Sequence, residues 1–262
     1  MTSLWLTSDR PFNIAHRGAS AVAPPNTLAA FRRAAELGAD GVELDVHLSA
    51  DGVPVVIHDF TVDATTDGTG RVRDLPLAAL KELDAGSRFD PAFAGERIPT
   101  LEEVFAEVGG RLLINVELKS MPGNDYPGLE AAVAALVRRH GLADRVLVSS
   151  FNPFALQRFR REMPEVPIGF LYETATLSRA ARLAAALVRL RPQAVHPWWG
   201  MVTPQVVRRA HARGQRVVAW TVDDPEAMVR LAEWGVDAII TNHPDRMQRI
   251  RLDIWGISGI IM

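Results

Sequence analysis

The stretch GVELDVHLSADGVPVVIHD, Gly41 to Asp59, sets charged side chains inside two runs that otherwise read as β-strands. Glu43, Asp45 and His58 stand where a sheet would ordinarily take valine or isoleucine. Two further runs repeat the pattern: IAHRGAS carries His16 and Arg17, and INVELKS carries Glu117 and Lys119. Residues two apart on a strand point the same way, so Glu43 shares a face with Asp45, and Glu117 with Lys119. Three carboxylates gathered in a partly dry site cannot all stay ionised alone; either their pKa values rise or a cation holds them. The chain has no cysteine, and an all-oxygen donor set suits Mg²⁺ or Ca²⁺ better than zinc. Arg17 and Lys119 beside such an ion suit an anion, a phosphate above all. His16 and His58 can move protons near neutral pH. Each residue alone has a plainer role, as a solvated rim acid, a core histidine or a lysine paired with Glu117. Their recurrence at the ends of consecutive strands carries the reading.

Such a cluster needs a frame that brings strand ends together. Apolar β-like runs fall at Asn13–His16, Val42–Val46, Leu112–Leu118, Val146–Ser150, Ile168–Leu171, Ala194–Pro197, Val217–Val222 and Ala238–Thr241. Helix-patterned stretches alternate with them, at Thr27–Leu37, Leu101–Glu107, Gly128–His140, Pro153–Arg161, Leu177–Leu190, Pro204–Arg213, Pro225–Trp234 and Pro244–Arg251. Thr100 with Glu103 has the spacing of a capping box, and Thr203-Pro204 and Asp224-Pro225 put proline at the first helical position. Eight strands alternating with eight helices predict a (β/α)8 TIM barrel, an α/β fold whose C-terminal strand ends meet at one mouth. The 262 residues match the roughly 250 such a barrel needs, so residues 1–262 read as a single domain.

The run Pro54–His58 stands outside that count, because too few residues precede it for a parallel crossover. Asp51-Gly52 predicts a two-residue hairpin turn, which pairs Ala50 with Val53 and Asp45 with His58 across the strands. A three-residue turn would slip that register. Residues 60–99 are too long for a barrel loop and read as an inserted subdomain capping one side of the mouth.

Composition narrows the classes. A hydrophobic fraction of 48% and a charged fraction of 23% describe an ordinary globular chain. A formal net charge of −2 speaks against nucleic-acid binding through bulk electrostatics. MTSLWLTSDRPF lacks the basic start and long apolar core of a secretory signal. No apolar run nears the roughly 18 residues that span a bilayer. The expectation is a soluble, cytoplasmic chain without stable membrane insertion. Its apolar tail DIWGISGIIM is expected to dock on the body, with an oligomer contact or a membrane touch as the alternatives. His47 lies farther out on the hairpin than Asp45 and reads as non-catalytic; His140 and His211 read as solvated helix-end residues.

The motifs AHRGAS, NTLAAF, ADGVELDVHLSADGVPVVIHD, TTDGTGRV, ERIPTLEEV, NVELK, AWTVDD and ITNHPD, spread over nearly the whole chain, resemble those of the glycerophosphodiester phosphodiesterase family. The resemblance implies a (β/α)8 barrel with a small insertion that hydrolyses a small-molecule glycerophosphodiester to glycerol 3-phosphate and an alcohol. It implies Glu43, Asp45 and Glu117 as ligands of one divalent cation, His16 and His58 as the acid/base pair, and Arg17 and Lys119 as phosphate binders. Trp220, in AWTVDD, would line the substrate pocket, with Phe151 and His196 placed beside it. Two positions depart from the family pattern: Pro25 stands where a glutamate is usual, and Asn242 where an aspartate is. Neither removes a proposed ligand or histidine, so activity is expected. The nucleophile is either water or the substrate's own 2-hydroxyl, and either histidine could act first as base. Two rival readings remain. One is a lysophospholipase D-like or sphingomyelinase D-like enzyme using an apolar groove near VHPWWGM, Val195–Met201. The other is a non-catalytic phosphodiester-binding barrel.

Overall fold

The computed structural model describes residues 3–120, 126–174 and 190–256. Nine strands run in chain order: β1 (Phe12–His16), β2 (Gly41–Leu48), β3 (Pro54–Val56), β4 (Leu113–Leu118), β5 (Val146–Ser150), β6 (Ile168–Tyr172), β7 (Ala194–Pro197), β8 (Arg216–Ala219) and β9 (Ala238–Thr241). The described helices are α1 (Leu28–Glu36), α2 (Leu77–Glu82), α3 (Leu101–Val108), α4 (Leu129–Arg139), α5 (Pro153–Glu162), α6 (Pro204–His211), α7 (Pro225–Glu233) and α8 (Pro244–Trp255). The helix expected over Leu177–Leu190 and the end of the apolar tail fall outside the described residues, apart from Leu190.

Local chemistry fixes most helix starts. Thr27 accepts from the Ala30 amide at the head of α1, and at α3 Thr100 and Glu103 form both halves of the capping box. Asn152, Thr203 and Asp224 cap α5, α6 and α7, each followed by proline.

All strands but β3 pair in parallel, in the order β1-β9-β8-β7-β6-β5-β4-β2, and β1 pairs with β2 to close the barrel. The fold is a (β/α)8 TIM barrel. Along β1, β2, β4 and β5 the outward residues stay apolar, with Ala15, Val42, Leu44, Val46, Ile114, Val116, Leu118, Val146 and Val148 packed under the helices. The inward residues change character with height. Ile14, Leu113, Leu147, Val218 and Ile240 fill the lower lumen. Above them, the inward positions of β1, β2, β4 and β5 are His16, Glu43, Asp45, Asn115, Glu117 and Ser149. One layer is a core and the next is a site.

The hairpin differs from the two-residue expectation. Val46 faces Val56, His47 faces Val55 and Leu48 faces Pro54, so Ala50, Asp51 and Gly52 form a three-residue turn with Gly52 at φ +80°. A left-handed glycine at the third loop position relieves the twist that a type I turn would impose. The register therefore slips by one, and Asp45 lies opposite Ile57, whose amide donates to the Asp45 carbonyl. The lower half of β2 pairs with β1 and its upper half with β3, so β2 rises above the rim and β3 covers its free edge. Beyond β3, Val55, Ile57, Val62, Val72, Leu80 and Ile98 form a small apolar cluster of their own, which includes the short α2 that no sequence pattern announced.

Candidate active site

The mouth is built on a strained turn. Arg17, directly after β1, adopts φ +56° and Gly18 φ +83°. A Cβ on Gly18 would lie 2.6 Å from the backbone of Ala30 in α1, so only glycine lets the helix pack against this turn. Arginine gains nothing locally from a left-handed backbone. The conformation directs the Arg17 amide to the Glu43 carbonyl at 2.9 Å and sets its Nε 3.3 Å from Asp45 Oδ2. Asn26, also left-handed, donates from Nδ2 to Asp45 Oδ2 at 2.9 Å.

Parallel register gathers the acids. His16 pairs with Glu43, and Asp45 with Glu117. One carboxylate oxygen from each of Glu43, Asp45 and Glu117 lies within 4.8 Å of the others, and all three residues are buried. Lys119 Nζ stands 3.3 Å from Asp45 Oδ1 and 3.1 Å from Glu117 Oε1. Three carboxylates thus share two cations, which leaves one negative charge in excess. The imbalance shows in the individual groups. Burial pushes Glu43 well above the usual carboxylate range, and Asp45 and Glu117 push it further. Glu117 rises for the same reason, with Lys119 opposing. For Asp45, burial is outweighed by Lys119 and Arg17, which hold it low. Close, buried, hard oxygen donors with surplus negative charge are the donor set of a divalent cation, so the residues fit one.

Each histidine is oriented by a hydrogen bond at Nδ1. His16 Nδ1 lies 2.7 Å from Asn242 Oδ1, and Asn242 Nδ2 donates to Asp223 Oδ2 at 2.6 Å. An ionised carboxylate only accepts, so Asp223 fixes the amide's orientation, and the amide oxygen fixes the proton on His16 Nδ1. Ser20 Oγ donates to the same oxygen. His16 Nε2 then faces Glu43 at 3.9 Å with a free lone pair. Burial, with Arg17 beside it, pushes His16 down to about 4. His58 Nδ1 bonds Asp59 Oδ1 at 2.6 Å. The His58 backbone carbonyl lies 3.1 Å from Nε2 of buried His47, whose Nδ1 meets the Tyr126 hydroxyl at 2.6 Å.

One open cavity collects these groups: His16, Arg17, Glu43, His58, Glu117 and Lys119 all line it. Phe151 and Trp220 form one wall, their rings edge to face at 5.5 Å. His58 reaches the cavity despite the slipped register, because the chain leaves the ladder after Ile57. His196 is not among the residues lining this cavity; its ring is fully buried with neither nitrogen partnered among the described residues, and its backbone carbonyl accepts from Trp220 Nε1 at 2.7 Å. It supports the tryptophan from behind. The sequence reading missed Asn26, Asp59, Asp223, Asn115 and Ser149. Asn26 carried a faint signal, as a polar residue preceding a helix cap; the others carried none. In the sequence Asn242 stands out only as a departure from the family pattern, and His47 only as a bystander.

A TIM barrel that reserves its inward polar residues for the C-terminal mouth is the architecture of an enzyme. Comparison with known proteins narrows that class. Residues 16–246 match the glycerophosphoryl diester phosphodiesterase family. A glycerophosphodiester phosphodiesterase of Caldanaerobacter subterraneus subsp. tengcongensis is 44% identical over 235 residues, covering 89% of this chain and 95% of that one. An Oleispira antarctica phosphodiesterase, solved in complex with the product sn-glycerol-3-phosphate, superposes with a TM-score of 0.80 at 35% identity, over 92% of this chain and 96% of that one. A glycerophosphodiester phosphodiesterase of Agrobacterium tumefaciens gives 0.77 at 32%, over 89% and 97%. The chain belongs to the glycerophosphodiester phosphodiesterase family, and it is a phosphodiester hydrolase.

Proposed function

We propose that the chain hydrolyses glycerophosphodiesters to glycerol 3-phosphate and an alcohol by histidine acid/base catalysis at one divalent cation, Mg²⁺ or Ca²⁺. Glu43, Asp45 and Glu117 would hold that cation, which supplies Lewis-acid stabilisation of charge on the phosphoryl oxygens when bound. The observation that carries the reading is the convergence of acids, cations and two imidazoles on one cavity. Charge supports it as well. Surplus negative charge of one, plus a divalent ion, leaves a single positive charge, which balances a diester anion. Arg17 and Lys119 then meet the non-bridging oxygens as negative charge builds on them. His16, neutral and with Nε2 free, deprotonates the nucleophile; His58 protonates the departing alkoxide. Residues 60–99 cap one side of this mouth. A second cavity between Arg17 and His58 on one side and Thr65, Ala85 and Ile98 on the other supports that role.

The test is release of glycerol 3-phosphate from a panel of glycerophosphodiesters, with and without EDTA, followed by Mg²⁺ or Ca²⁺ restoration. No release from any diester, or release indifferent to EDTA, rejects the reading. One observation favours a second reading, a lysolipid substrate: Val22 and Trp198, in the segments that follow β1 and β7, and Phe154, in the first turn of α5, are exposed apolar residues. Among the described residues no helix is long and apolar enough to cross a membrane. Faster turnover of lysolipid micelles than of glycerophosphocholine would select that reading.

A further inference from the structure

Asn115 and Ser149 line the same cavity as His16, Glu43 and Lys119. Both come from the inward-facing series. Asn115 of β4 pairs in register with Glu43, and Ser149 of β5 pairs with Glu117. Asn115 is 1% exposed and Ser149 0%, yet Asn115 Nδ2, Asn115 Oδ1 and Ser149 Oγ have no hydrogen-bond partner among the described residues. Each buried polar group left unpaired costs about 1–3 kcal/mol. Three such atoms on neighbouring strands, opening into one cavity, therefore indicate a ligand that brings both donors and acceptors. Adjacent hydroxyls do so. The apolar part of the lining, Leu171, Ile240, Phe151 and Trp220, suits the C–H faces of a short polyol. An acyl chain would leave the amide and hydroxyl unanswered.

We propose that Asn115 and Ser149 form a diol-recognition subsite that takes the two free hydroxyls of the glycerol moiety. The glycerol end of the diester then lies against β4 and β5. The assignment rests on the phosphodiesterase reading above and adds which residues read the glycerol half.

The experiment compares glycerophosphocholine with propyl phosphocholine, which lacks the diol, in wild type, Asn115→Leu, Ser149→Ala and Ser149→Thr. Wild type should prefer the glycerol diester, and Asn115→Leu should lower kcat/KM for it about 10–100-fold with the propyl diester unchanged. Ser149→Ala should show a smaller loss of the same kind, and Ser149→Thr, which keeps the hydroxyl, should restore most of it. The ratio between two diesters does not depend on how much of a variant folds. Equal losses on both diesters, no preference in wild type, or a change only in the Mg²⁺ concentration required would overturn the subsite. A binding arm separates this outcome from failure of the phosphodiesterase reading. If wild type leaves the propyl diester or both diesters uncleaved, calorimetry with glycerol 3-phosphate against propyl phosphate judges the subsite. Tighter binding of the former, lost in Asn115→Leu, supports it, and equal binding refutes it.

Discussion

Two clusters of buried charge in this barrel stand on opposite terms. At the bottom, Arg251 of α8 meets Asp40, just before β2, at 2.5 Å, and Asp40 also accepts from the Asn13 amide of β1. One acid answers one base, and the pair fastens the last described helix to the seam where the barrel closes. At the mouth, three acids answer two bases, and burial forces Glu43 and Glu117 upward in pKa. Burial is common to both places, so balance is what separates them. A matched pair balances its charge within the fold, whereas a surplus of buried carboxylate calls for something from outside.

The sharpest way to test the contrast is to damage each place and read both activity and stability. At the mouth, His58→Asn should lower kcat a thousandfold to ten-thousandfold, about 4–5.5 kcal/mol in barrier, with glycerol 3-phosphate binding and melting temperature nearly unchanged. Glu117→Gln should be similarly inactive yet no less stable than wild type, because it removes an acid from a surplus. A stability loss there would break the comparison. At the bottom, Arg251→Met should cost about 3–5 kcal/mol in urea unfolding, while kcat of the folded fraction stays at the wild-type level.

A smaller effect sharpens the point with a buried ring that has no hydrogen-bond partner among the described residues. Burial pushes His196 down to about 3 from the usual 6.5. The unfolded chain therefore takes up this proton below pH 6.5 while the folded chain does not, so stability falls as the pH drops through 6.5. At pH 4.5 the penalty reaches about 2.5 kcal/mol. His196→Leu should lose that much less stability than wild type between pH 7.5 and 4.5, measured by urea midpoints. Identical slopes would refute it. Smallest of all, Asn242→Asp sets a carboxylate against His16 Nδ1, which favours the imidazolium. The His16 pKa should rise by about one unit, followed by NMR of the ring; an unchanged titration would show that Asn242 does not govern this histidine.

Strand and helix positions were legible because period and capping are local. The capping box at Thr100, the Asp224-Pro225 start and the β5, β7 and β9 spans were readable in residue order alone. So was the acidic cluster, since i, i+2 spacing on successive parallel strands forces a shared direction. The hairpin register was not, because an Asp-Gly pair serves two- and three-residue turns alike, and a one-residue slip depends on how the strands twist together.

The amino-acid order by itself determined a (β/α)8 barrel and an acid-rich mouth flanked by histidine, arginine and lysine, because alternation and strand-end position are one-dimensional properties. Tertiary structure alone decided who supports whom. Asn242 and Asp223 orient His16, His47 holds the chain at His58, His196 braces Trp220 from outside the cavity, and Asn115 with Ser149 lie unpaired in its wall. These relations join residues tens to hundreds of positions apart, and a hydrogen bond of 2.7 Å between His16 and Asn242 exists only once the last strand has closed against the first.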